Sequence, residues 1–229
     1  MYFKRKVPNI KLVHLLSCPE DEREQASVAS LKPLEELGVQ YIQHVNFPHE
    51  GEFPVHDNLL EIHKKSRVFG CFAAHQKAFM EEFSDDVDLL LVCECDCTLL
   101  VSHKRFLNAV VRFGALMSSK EIVTISIGAL GLGKVAPTEG LYLSQIVTGT
   151  QCMLYCKTEK EIMREMFDTV PWKPFDIWLT EVLGNTNQIA VSEKRLTTQL
   201  PGPSLLGNDS ESVIYKMNTS SGIGSLPSE

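Results

Sequence analysis

The chain has 229 residues, enough to bury one good core, so one domain with a tail is expected rather than two full domains. Lys plus Arg number 22 against 29 Asp plus Glu, a formal net charge of −7 with neither sign gathered into a block, which argues against a nucleic-acid surface while leaving room for a local basic pocket. No window reaches the roughly 18 apolar residues of a membrane span, no signal-peptide core follows the basic start "MYFKRKVPNI", and seven cysteines do not read as a disulfide framework, so a soluble, cytoplasmic protein is expected.

In chain order, "IKLVHLL" reads as a strand. "PEDEREQASVASLKPLEELG" reads as a helix with an acidic start and a glycine stop at Gly38, kinked or broken at Pro33, and "VQYIQHV" as a second strand. The proline- and glycine-punctuated "NFPHEGEFPVHDN" is an irregular surface segment. "RVFGCFAAHQKAFMEEF" places Phe69, Phe72, Ala73, Phe79, Met80 and Phe83 at helical spacing, and "VDLLLVC" has the continuous apolar run of a strand covered on both faces. Helix returns in "KRFLNAVVRFGALM" and strand in "EIVTISIG". The glycine-rich "GALGLGKVAPTEG" is expected to be a mobile loop with Lys134 available to a phosphate. It is no P-loop, because Val135 follows Lys134 where Ser or Thr is required. "LYLSQIVTGTQCMLYC" supplies one or two strands, and "TEKEIMREMFDTV" and "PWKPFDIWLTEVLG" two helices. This alternation predicts an α/β domain over residues 1–200 with a mostly parallel central sheet, followed by an extended or disordered tail over 201–229 that is rich in Gly, Pro and Ser.

The stretch "LVCECDCTLL" carries the most chemistry. If it is extended, Cys93, Cys95 and Cys97 share one face and Glu94 and Asp96 the other. A zinc reading needs thiolates that converge, with Cys71, Cys152 or Cys156 as further donors; small buried apolar cysteines are the simpler reading, and there is no CxxC. The carboxylates lie where a core strand leaves the carboxyl edge of the sheet, the place where open α/β sheets bind ligands. An acidic pair there either begins an ordinary loop or holds a divalent cation that neutralises phosphate oxygens.

"GCFAAHQKAFMEEF…VDLLLVCECDC" resembles glycosyltransferase family 25, which includes lipooligosaccharide and procollagen galactosyltransferases: glycine, histidine and helix precede an apolar strand that ends in three acidic positions. Gly70 and His75 match, Glu94 and Asp96 stand on the first and third acidic positions, and Cys95 replaces the second. "IKLVHLLSCPEDERE", "TGTQCMLYCKTEKEIMREMF" and "PFDIWLTEV" resemble further family segments in the right order, over roughly residues 10–183.

The resemblance implies a GT-A fold with a small antiparallel portion. It also implies metal-dependent, inverting transfer of a sugar from a nucleotide-sugar donor, UDP-hexose by expectation, to a hydroxyl of a glycan, lipid-linked or protein acceptor. Mn²⁺ or Mg²⁺ would sit on Asp96, with Glu94 as second ligand or as a contact on the ribose side. Arg23 and His75 would lie near the nucleotide or diphosphate, although Arg23 reads equally as a surface ion pair and His75 as a helix-face group. Asp176 would be the general base, or simply a helix cap. Cys95, a poor partner for a hard cation, and the lack of any histidine after residue 103 are departures from the pattern. They motivate two alternatives, a catalytically inactive glycosyltransferase-like binding module and a cysteine-rich zinc-binding protein.

Overall fold

In the computed structural model, described for residues 7–17, 19–45, 66–128, 130–169, 174–186 and 188–200 (backbone alone for 66–69 and 130–138), strand β1 (Ile10–Leu16) is buried at every position. A strand buried throughout needs neighbours on both edges and layers on both faces. Strand β1 pairs in parallel with β2 (Gln40–Val45) on one side and with β3 (Leu89–Cys93) on the other.

Helix α1 (Glu22–Leu31) is capped by Asp21, whose side chain accepts from the Arg23 and Glu24 amides. Pro33 then acts as a break rather than a kink: the chain tightens into a 3₁₀ turn over Lys32–Leu37, ended by Gly38 at φ 89°. Helix α2 (Ser66–Glu82) precedes β3. After β3 come β4 (Cys97–Leu99), α3 (His103–Lys120), β5 (Thr124–Ser126), β6 (Leu130–Thr138), β7 (Leu141–Thr148), β8 (Cys152–Cys156), α4 (Lys160–Thr169), α5 (Phe175–Leu183), β9 (Ile189–Ser192) and β10 (Thr197–Gln199).

The main sheet runs β2-β1-β3-β8-β5-β9-β7-β6, and β4 pairs separately with β10. The architecture is a single α/β domain, with a mixed central sheet flanked by helices. Its antiparallel share exceeds the small portion expected: four of the seven neighbour pairings, β3–β8, β5–β8, β7–β9 and β6–β7, are antiparallel. Much of that excess comes from "GALGLGKVAPTEG", which forms strand β6 and not the expected loop. Glu139 (φ 47°) and Gly140 (φ 89°) make a two-residue turn with both φ positive, the hairpin geometry that matches strand twist, and Thr138 pairs directly with Leu141 across it. The tail over 201–229 lies outside the described residues.

Two apolar layers cover the sheet. One gathers Phe72, Phe79, Phe167 and Trp178 from α2, α4 and α5, with the Phe167 and Trp178 rings stacked 5.2 Å apart. The other seats Phe106, Phe113 and Met117 of α3. Burying each such ring contributes about 1.5–3 kcal/mol. Given the pairing directions, β1, β3, β5 and β9 end on the edge where β8 begins, so residues near 17, 94, 128 and 149–151 meet there.

Candidate active site

The extended backbone of "LVCECDCTLL" stops at Cys93. The Cys97 amide donates to the Glu94 carbonyl (3.0 Å), closing a β-turn, while the Glu94 amide reaches the Gln151 carbonyl (2.9 Å) and the Leu200 amide the Asp96 carbonyl (2.8 Å). The expected alternation of faces therefore fails. Cys93 and Cys97 enter the α3-side core with Cys152, whereas Cys95 packs in the opposite core with Phe72 and Trp178.

Glu94 is 8 % exposed and sits at the centre of a polar knot. Its Oε1 accepts from Thr150 Oγ1 (2.6 Å), His75 Nε2 (3.2 Å) and, weakly, Cys71 Sγ (3.8 Å). Burial pushes the Glu94 carboxyl up, but the His75 bond and charge and the Thr150 and Cys71 donors outweigh it and hold it below the usual range. His75 lies tilted against the Phe175 ring with centroids 4.4 Å apart, so it orients Glu94 from within the core. Thr150 was not anticipated as a site residue. Its signal is "TGTQC": Gly149 takes φ 90° just before β8 and aims the next hydroxyl at the sheet edge.

Asp96 stands differently. Its Oδ1 is buried without a hydrogen-bond partner. Burial and the neighbouring Glu94 charge raise its pKa from 3.8 to about 7, against the pull of Arg23. Arg23 is thus brought to the acidic turn from the first turn of α1. Beside it, Glu24 is buried and accepts from the Ser17 amide and hydroxyl, a third carboxylate at this edge, hidden in the sequence among the "EDERE" charges.

Asp176 lies in the first turn of α5, but the N-cap residue is Pro174. Burial raises its pKa, the Ile177 amide bond (2.9 Å) lowers it, and the Glu94 charge raises it again, which places Asp176 in the field of the acidic turn. Lys134 is the exception among the candidates. Its backbone belongs to β6 opposite Ser144, at the far side of the sheet from β3, and its side chain lies outside the described residues.

Among the described residues, two groups of metal-ligating atoms lie within 4.8 Å of one another: Cys71, His75 and Glu94, and Cys93, Cys97 and Cys152. A cavity of about 520 Å³ between α3 and the β9–β10 connection, lined by Arg105, Arg112 and Lys194, includes none of the residues singled out from the sequence. No described helix is long and apolar enough to cross a membrane.

No family model and no curated protein sequence matches the chain, so the resemblance to glycosyltransferase family 25 stays a resemblance. Among solved structures, the chain is similar to a glycosyltransferase involved in the glycosylation of the major capsid of PBCV-1 (13% identity, 84% of this chain and 94% of that one, TM-score 0.46). It is also similar to mouse xyloside xylosyltransferase 1 (7%, 79% and 83%, 0.43). A third is the inositol-1-phosphate CTP transferase of T. maritima (12%, 96% and 99%, 0.41). None of these likenesses assigns an activity to this chain.

Proposed function

We propose that the protein transfers a sugar from a nucleotide-sugar donor, a UDP-hexose by preference, to a hydroxyl acceptor, with its centre at the turn that carries Glu94 and Asp96. The observation that carries this reading is Asp96: a carboxylate at the carboxyl edge of the sheet with a buried, unpartnered oxygen and a raised pKa. Leaving such a group unsatisfied costs about 1–3 kcal/mol, which a ligand can recover. A hard carboxylate oxygen with no protein donor fits Mn²⁺ or Mg²⁺, whereas Cys95, packed in the core, offers it nothing. When bound, that cation would screen the charge of a diphosphate leaving group.

The chain's own groups divide the remaining work. Asp96 would hold the cation, with Glu94 fixed alongside by Thr150 and His75, and Arg23 would add positive charge on the phosphate side. Asp176 would accept the proton of the acceptor hydroxyl, and a base opposite the leaving group gives inversion at the sugar carbon. The test is calorimetric titration of Mn²⁺ with UDP-hexoses, alongside transfer or donor hydrolysis. Asp96→Ala should abolish coupled binding of metal and donor, and unchanged binding would end the proposal. Asp176→Asn should depress transfer by about 100-fold or more with donor binding retained; equal loss of both would make Asp176 structural.

A second reading, a catalytically inactive nucleotide-binding module, is favoured by one observation: Cys95, on the middle acidic position of the resemblance, packs in the core and brings no oxygen to a cation. Donor binding without any hydrolysis or transfer across a donor panel would select it.

A further inference from the structure

We propose that Cys93, Cys97 and Cys152 form a closed thiolate site for a thiophilic d¹⁰ cation, Zn²⁺ in the cell, which clamps the acidic turn to the sheet. The three side chains come from the end of β3, the start of β4 and the start of β8, and all are fully buried. The Cys93 and Cys152 sulfurs are 3.5 Å apart, and all three sulfurs lie within 4.8 Å of one another. Tetrahedral zinc with Zn–S bonds of about 2.3 Å separates its sulfurs by about 3.8 Å, so the cluster needs only small adjustments to close on an ion.

The backbone explains the convergence. Cys93 and Cys152 are directly opposed in the β3–β8 register. Because the Glu94 amide bonds the Gln151 carbonyl, the Glu94–Gln151 pair is the hydrogen-bonded one and Cys93–Cys152 the closer, non-bonded type. The 94–97 turn then returns Cys97 to the same side and turns Cys95 away, converting the apparent alternate-cysteine run into two ligands with three residues between them, inside the ordinary zinc spacing.

A further buried donor points at the group. Thr197 Oγ1 of β10 is fully buried beside the Cys152 thiol and has no other hydrogen-bond partner. A fourth, neutral oxygen donor to the ion would come from this hydroxyl. Sulfur ligands exclude Mg²⁺ and Mn²⁺, so this site is chemically distinct from the one proposed at Asp96. Each thiol that binds gives its proton to solvent, so loading at neutral pH releases acid. The inference does not depend on the transferase reading.

The test uses the full chain, purified without chelator under reducing conditions, with zinc measured by elemental analysis and Co²⁺ used to refill stripped protein. About one zinc per chain should survive desalting, and Co²⁺ should give an intense sulfur-to-metal charge-transfer band. Cys97→Ser and Cys152→Ser should lose most of the metal and the band, while Cys156→Ser, at the other end of β8, keeps both. Wild-type protein that holds no zinc after anaerobic refolding in excess Zn²⁺ and shows no thiolate band with Co²⁺ would overturn the site, whatever the serine variants do. Equal metal loss in Cys156→Ser would overturn this ligand set.

Discussion

Replacing Asp96 by Asn keeps the shape of the side chain and removes its charge. In the wild type the carboxyl pKa rises from 3.8 in the unfolded chain to about 7 in the fold. Between those values the folded state keeps a proton that the unfolded state has lost, so folding stability falls as pH rises and levels off above about 7. At about 1.4 kcal/mol for each pH unit, the full cost reaches about 4 kcal/mol, and screening at the partly exposed edge of the residue reduces the expected value to about 2–4 kcal/mol.

His14 works in the opposite sense. Fully buried, it has its pKa lowered from 6.5 to about 4, chiefly by burial, so it adds stability that is complete above 6.5 and is lost as pH falls toward 4. Over their shared window the two slopes nearly cancel, so the wild-type curve conceals both. The informative quantity is the difference between Asp96→Asn and wild type in urea unfolding free energy, measured at several pH values with chelator present. That difference should be near zero at pH 4 and grow steadily to its maximum at neutral pH. A gap that does not change with pH would refute the claim that Asp96 is a destabilised buried charge.

Three further predictions rest on other contacts. Thr150→Val removes the 2.6 Å donor to buried Glu94 and should cost about 1–3 kcal/mol by chemical denaturation, whereas a change under 0.5 kcal/mol would show that the bond is not a structural one. Gly184→Ala would set a Cβ on the Gln145 carbonyl oxygen of β7, and a thermal melt should show a loss of about 3 kcal/mol or failure to fold; a wild-type melt would refute that close packing. His14→Gln should remove about 3 kcal/mol of the pH dependence between 6.5 and 4, read by denaturation at those two pH values, in addition to any constant cost from its Tyr41 and Ser27 bonds; an unaltered pH dependence would show that His14 is not the titrating group.

The strands and helices legible in the sequence were those with strong periodicity or unbroken apolar runs. "VDLLLVC" holds strand β3, and the phenylalanine spacing of α2 matches a helix that buries Phe72 and Phe79, with Phe83 buried just past its end. Strand β6 was illegible because its glycines signal a loop, while its pairing is set by the Glu139–Gly140 turn and by β7, both later in the chain. Glu94 and Asp96 were found together on the sheet edge, and Arg23 and Asp176 reach their field. Their different states were not readable. Glu94 owes its satisfied state to Thr150 and His75, 56 and 19 residues away, and no local pattern encodes contacts of that range. The facing of the cysteines was misjudged for a local reason: one β-turn reverses the period-two rule.

The acidic turn is finished from a distance. Strand β10 pairs with β4, placing Gln199 opposite Cys97, and the Leu200 amide closes on the Asp96 carbonyl. During synthesis the main sheet already has β1, β2, β3 and β8 once residue 156 has emerged, yet the segment bearing Asp96 still lacks its partner strand. Its last partners, β10 and the Leu200 amide, emerge only with residue 200, so nascent chains released short of that point would carry most of the sheet and an acidic turn without them.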